Sequence, residues 1–163
     1  MGGDPRRDLQ GIRLVIAVDT NLLVYAHRAD AEWHERALRR LLSLGEGQSR
    51  WAIPWPCLHE FLAIVTHPRI YVPPSTPEQA LASLAAWLDS PTCIPIGEGP
   101  GYFEVLQHLV TGGRVEGGLI HDARVAAVCL HHGVTTLWTA DRDFGRFPQL
   151  KTMNPLLDPP TPA

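Results

Sequence analysis

Residues 14–19 read Leu14-Val15-Ile16-Ala17-Val18-Asp19, five apolar residues in a row closed by an acid. A short, unbroken apolar run reads as a strand buried on both faces, and such strands belong to parallel sheets covered by helices on either side. The segments beyond it fit that frame. Helical spacing follows at about 21–28 and 32–44, the second stretch carrying Arg36, Arg39 and Arg40 on its polar side. A strand at Trp51-Ala52-Ile53 stops at Pro54, and Leu58, Phe61, Leu62 and Val65 mark a helix that His67-Pro68 ends. Thr76-Pro77-Glu78 is the cap and first turn of a helix running to about Asp89. A brief strand at Cys93–Ile96 precedes helices near 101–111 and 119–131, separated by a glycine-rich loop. Thr135-Thr136-Leu137-Trp138 and Leu150–Met153 are the last strands. Strands alternating with helices predict a three-layer α/β/α domain with a central parallel sheet.

The chain of 163 residues has the size of one domain. Residues 1–11 are expected to be a flexible leader, 12–155 the folded domain, and 156–163, with Asp158-Pro159-Pro160-Thr161-Pro162, a frayed tail. A hydrophobic content of 45% with 19% charged residues is that of a globular protein. The net charge of −3 argues against a generic basic nucleic-acid-binding module. The three cysteines contain no Cys-x-x-Cys pair and read as small buried residues. No apolar run reaches membrane-spanning length, and the charged start lacks the apolar core of a signal peptide, so a cytoplasmic protein is expected.

Four acids stand out. Asp19 and Asp141 each directly follow a strand, and so emerge at the carboxyl edge of the sheet where ligands of such folds gather. Asp19 could equally cap the helix after it, and Asp141 could form an Asx turn. Glu60 has Pro56, Cys57, Ala63 and Ile64 as its helical neighbours, and Asp122 has Leu119, Val125 and Ala126. With no cation on its own helix to pair with, each is expected on an inward face. Grouped carboxylates repel one another and call for a cation, and an all-oxygen site selects Mg²⁺ or Mn²⁺ over zinc. Such an ion suits hydrolysis of a phosphodiester backbone.

The stretches around these acids resemble the motifs of the PIN-domain ribonucleases, and of their VapC toxins in particular. Val18-Asp19-Thr20-Asn21-Leu22-Leu23-Val24-Tyr25-Ala26 is similar to the opening motif, and 55–68, containing Glu60, to the second. His121-Asp122-Ala123-Arg124-Val125-Ala126-Ala127 resembles the third, and 137–148, containing Thr139-Ala140-Asp141, the fourth. The resemblance covers about 13–155 with the motifs in order. It implies a Mg²⁺-dependent endoribonuclease with Asp19, Glu60, Asp122 and Asp141 as catalytic acids, and Asp19 and Asp122 as expected metal ligands. It also implies an RNA substrate, a cognate VapB-type antitoxin as inhibitor, and a homodimer. Asp143 is a fifth acid nearby, and Asn21 and Thr139 match positions that could orient an acid.

Other readings leave a weaker mark. Eight histidines and three cysteines show no zinc-ligand spacing. An Asp-nucleophile phosphatase would begin with an acid such as Asp19, but would want a second acid where Asn21 sits and a well-placed Lys, of which Lys151 is the sole example. A non-catalytic PIN-like binding module differs by retaining RNA without cutting it. Arg69, Arg142 and Arg146 flank the motifs as candidate phosphate contacts, with His121 a further candidate toward substrate. The five tryptophans read mainly as core.

Overall fold

The computed structural model describes residues 13, 14 and 16–157; the proposed leader and the stretch from Asp158 lie outside it. Five parallel strands make one sheet: β1 (Ile16–Val18), β2 (Trp51–Pro54), β3 (Cys93–Ile96), β4 (Thr136–Trp138) and β5 (Lys151–Met153), in the order β3-β2-β1-β4-β5. The helices are α1 (Thr20–His27), α2 (His34–Glu46), α3 (Trp55–Val65), α4 (Pro77–Leu88), α5 (Tyr102–Gly112) and α6 (Ile120–His131). The chain steps from β1 outward to β3, then returns across the sheet to β4. Right-handed crossovers in opposite directions put the intervening helices on opposite faces, which gives the α/β/α layering expected from the sequence.

The central strand is as dry as its composition predicts: Ala17 and Val18 are wholly buried, and so are Ala52 and Ile53 of its neighbour. Ile16 pairs with Trp51 on one side and Thr136 on the other. Alanines at 123, 126 and 127, all fully buried, let α6 lie close against the sheet. Helix α4 opens with a capping box in which Thr76 and Gln79 satisfy each other's backbone N–H groups.

A 3-10 turn at Arg142–Arg146 follows β4, and the Asp141 side chain opens it as the Asx turn weighed for that residue, accepting from the Asp143 N–H. One stretch differs from the sequence reading. Leu156, read as the start of a frayed tail, is 2% exposed and part of the core. Arg36 and Arg40 of α2 hold that segment by donating to the carbonyls of Leu156 and Pro155 at 2.8 and 2.9 Å.

The histidines do structural work. His27 meets Ser83 Oγ at 2.7 Å and Ser75 Oγ at 2.8 Å while packing edge-on against Phe61, which ties α1 to α4. Among the described residues, the one grouping of three or more side chains able to hold a metal is acidic. No described helix is long and apolar enough to cross a membrane.

Candidate active site

In this strand order the direction of winding reverses between β1 and β4, and the crevice outside their carboxyl ends is where open α/β sheets bind ligands. The two strands are joined at that edge by the Asp19 N–H donating to the Trp138 carbonyl at 3.0 Å. Asp19 follows β1 directly and is 6% exposed. Its Oδ1 accepts from the Thr20 N–H at 2.8 Å and from the Cys57 thiol at 3.5 Å. Its Oδ2 accepts from the Thr139 hydroxyl at 2.7 Å and from Asn21 Nδ2 at 3.5 Å. Burial pushes the Asp19 carboxyl above its usual range, and the charge of Glu60 adds to that, while the bonds from Thr139, Thr20 and Cys57 act in the opposite sense.

Thr139 is the hub of this edge. Its buried hydroxyl gives its proton to Asp19 and accepts from Asn21 Nδ2 at 3.3 Å and the Asp141 N–H at 3.0 Å, which fills its hydrogen-bonding capacity. Asn21 Oδ1 accepts from the Ala140 N–H at 3.2 Å. The turn after β4 is thereby stapled to the turn after β1, and Asp141 and Asp143 are set on it.

Asp122 comes to the same place from α6. A turn at Gly117–Leu119, with Gly117 at φ +62°, brings the chain into that helix, whose N-terminal dipole favours an acid in the first turn. One carboxylate oxygen each of Asp122, Asp141 and Asp143 lie within 4.8 Å of one another. Desolvation raises the Asp122 carboxyl to about 6, with further contributions from Asp141, Asp19, Asp143 and Glu60 in that order. The other three sequence-predicted acids therefore all act electrostatically on Asp122. The tightest group includes Asp143, while Asp19 and Glu60 stand outside it.

Glu60 departs from the inward position expected for it. It is exposed on α3 and its Oε2 accepts from the Thr20 hydroxyl at 3.2 Å. The buried face of α3 is made by Cys57, Leu58, Phe61 and Val65, which turns Glu60 toward an open cleft. That cleft, about 540 Å³, is also bordered by Asp122, His59, His121, Gly118 and Arg124. Arg69, Arg142 and Arg146 are exposed and are not among its lining residues. The arginine that borders it is Arg124, two residues after Asp122 on α6. It reaches across to Glu98, its Nε donating to Oε1 at 2.6 Å.

Three carboxylates with oxygens within 4.8 Å of one another, one of them raised, are the donor set of a hard divalent cation. Asp122, Asp141 and Asp143 have the oxygen chemistry and the proximity to hold one.

The PIN-domain family model matches residues 16–150. Ribonuclease VapC43 of Mycobacterium tuberculosis is 32% identical over 142 residues, covering 87% of this chain and 96% of that protein. Ribonuclease VapC48 of the same organism is 28% identical over 137 residues, covering 84% and 94%. The fold is similar to the crystal structure of VapBC2 from Rickettsia felis bound to a promoter DNA fragment, with a TM-score of 0.64 at 20% identity, covering 86% of this chain and 98% of that one. It is also similar to VapC20 of Mycobacterium tuberculosis, described as a Sarcin-Ricin loop cleaving toxin, at a TM-score of 0.59 and 21% identity, covering 80% and 92%. With the motif order, the sheet topology and the acid cluster all in agreement with the family match, the chain belongs to the PIN-domain family, within its VapC branch.

Proposed function

We propose that this protein is a metal-dependent endoribonuclease toxin of the VapC type, inhibited by a VapB-type antitoxin. The observation that carries the reading is the convergence of Asp122, Asp141 and Asp143 beside buried Asp19 at the sheet's switch point, open to a cleft walled by Glu60. The names of the relatives supply the substrate class, RNA, and solved VapBC structures supply the kind of partner. A homodimer belongs to the same proposal.

Asp122, Asp141 and Asp143 would hold a Mg²⁺ or Mn²⁺ ion, with Asp19 completing the charge around it. Such an ion lowers the pKa of a bound water and offsets negative charge on the phosphoryl oxygens. In the hydrolysis, a water oxygen bonds to phosphorus, one ester P–O bond breaks, and the leaving oxygen takes up a proton. Glu60, exposed to the cleft with Oε2 accepting from Thr20, would accept the proton that the attacking water loses. Thr139 and Asn21 fix Asp19 and the Asp141 turn in one arrangement before substrate arrives, so little reorganisation is left for the reaction itself.

The test is cleavage of RNA by the purified protein with and without chelator. Excess EDTA is expected to stop cleavage and added Mg²⁺ or Mn²⁺ to restore it; full activity in EDTA would sink the mechanism. Expressed without a partner, the protein is expected to arrest growth and Glu60→Gln to relieve the arrest. RNA retained but left uncut would identify a binding module instead.

Thr139 gives a separate prediction. Thr139→Val keeps the side-chain shape but removes the hydroxyl shared by Asp19, Asn21 and Asp141. Losing a group that orients metal-binding acids typically costs roughly 10–100-fold in activity or metal affinity. Cleavage is expected to fall by that amount in Thr139→Val and to recover largely in Thr139→Ser, measured as kcat on proteins of matched folding. Equal activity in parent and Val variant would show the hydroxyl to be a packing detail.

A further inference from the structure

Beside the acids lies a surface that the catalytic reading leaves unused. Trp55 opens α3 directly at the carboxyl end of β2 and is 39% exposed, although it is a large aromatic residue. His59, one turn later, presents its ring to Trp55 at a centroid distance of 5.9 Å and an interplanar angle of 34°. The same His59 borders the cleft that contains Glu60 and Asp122, so the ring pair runs up to the acids.

The loop after β3 backs this pair. A side-chain carbon at Gly97 would sit 3.4 Å from Trp55 Cδ1, so the bare backbone there packs against the indole edge. His132 Nε2 holds the Gly97 carbonyl at 2.8 Å, and the next residue, Glu98, is bonded to Arg124. Burial works to raise the Glu98 carboxyl. The Arg124 hydrogen bond, its own backbone N–H and the charges of Arg124 and His59 together hold it below the usual value. Arg124 is thereby fixed at the cleft margin by its Nε, and among the described residues no hydrogen bond uses either Nη. At Gly118, on the same cleft, an added Cβ would meet nothing within 4 Å, so the approach is open.

We propose that the Trp55–His59 ring pair and Arg124 form a nucleotide subsite that takes one unstacked base of a single-stranded RNA together with an adjoining phosphate. Exposed aromatic rings are the usual platform for splayed RNA bases, and an arginine fork matches phosphate oxygens. RNA is favoured over a protein occupant because the platform is continuous with the acids at which a phosphodiester has to lie. A nucleotide next to the one being cut would reach it without a detour. The subsite rests on the nuclease reading and selects for unpaired RNA, since a base within a duplex cannot be stacked on the rings.

The experiment measures cleavage of a short single-stranded oligoribonucleotide, in Mg²⁺, by the parent and by Trp55→Ala, Trp55→Phe and Arg124→Ala, each checked for fold by circular dichroism. Trp55→Ala is expected to raise KM roughly tenfold with kcat little changed, as stacking on one base supplies, and Trp55→Phe to stay near the parent. Arg124→Ala is expected to raise KM and to flatten the salt dependence of binding by about 0.7 in log–log slope, the share of one phosphate contact on a single strand. Folded Trp55→Ala with the parent's KM overturns the subsite and leaves the nuclease reading standing. Variants that cleave normally but escape inhibition by the antitoxin overturn it in favour of a protein-binding face. A parent that cuts no RNA overturns both readings.

Discussion

Asp122→Asn is expected to abolish RNA cleavage, lowering kcat by roughly a thousandfold or more while leaving the fold intact. The size follows from its position in the tightest acid group, where its charge is one of three shared by neighbours within 4.8 Å. The cleanness follows from its bonding. Among the described residues Asp122 makes no side-chain hydrogen bond, so an amide of the same shape removes charge and little else. Asp19→Asn is a poorer probe, because Asp19 accepts from Thr20, Thr139, Asn21 and Cys57, and an amide would disturb that buried network. The measurement is single-turnover cleavage at saturating RNA, with far-ultraviolet circular dichroism as the control. A folded Asp122→Asn that cuts within tenfold of the parent would remove Asp122 from the site.

What the sequence disclosed, and what it withheld, follows from how far each feature reaches along the chain. The apolar run ending at Asp19 and the strand ending at Trp138 are local signals, and both acids stand where those signals put them, at the carboxyl edge. The order β3-β2-β1-β4-β5 is not local: the pairing of Ile16 with Thr136 joins segments 120 residues apart. Hydrophobic periodicity carries no record of which strand lies beside which. The sequence marked Thr139 as a residue that could orient an acid and Asp143 as a fifth acid, but not which acid Thr139 bonds across those segments, nor how near Asp143 lies to Asp122. Glu60 shows the opposite failure. Its own helix told correctly that it had no cation partner, but that absence fits an open cleft as well as a buried face. Arg124 lies within the third motif, but its partner, Glu98, comes from a different element 26 residues away, so its place at the cleft is not a local signal.

The same acids should set the protein's stability, most directly through Asp122. Its carboxyl lies at about 6 when folded, against 3.8 for an ordinary aspartate, first because of desolvation and then because of Asp141, Asp19, Asp143 and Glu60. A group whose folded pKa is raised keeps its proton longer in the folded state. The associated stability is therefore fully present below about pH 3.8 and is lost as pH rises through about 6. At neutral pH without metal the parent bears the desolvation and crowding of this charge, and Asp122→Asn does not. Asp122 is only half-buried, so solvent screening reduces the effect well below what the shift alone would give. In EDTA at neutral pH the variant is expected to melt higher than the parent by roughly 2–4 °C, the scale of about 1 kcal/mol in a chain of this size. The gap should close as the buffer is brought down past the Asp122 titration. Mg²⁺ binds the folded form and should raise the parent's Tm more than the variant's, since only the parent keeps the full acid set. Thermal melts of both proteins, with EDTA and with Mg²⁺, at neutral and at mildly acidic pH, read all of these terms. If the variant melts lower in EDTA and Mg²⁺ shifts both alike, Asp122 serves as a helix-start residue favoured by the dipole of α6, and the metal must be held by other acids.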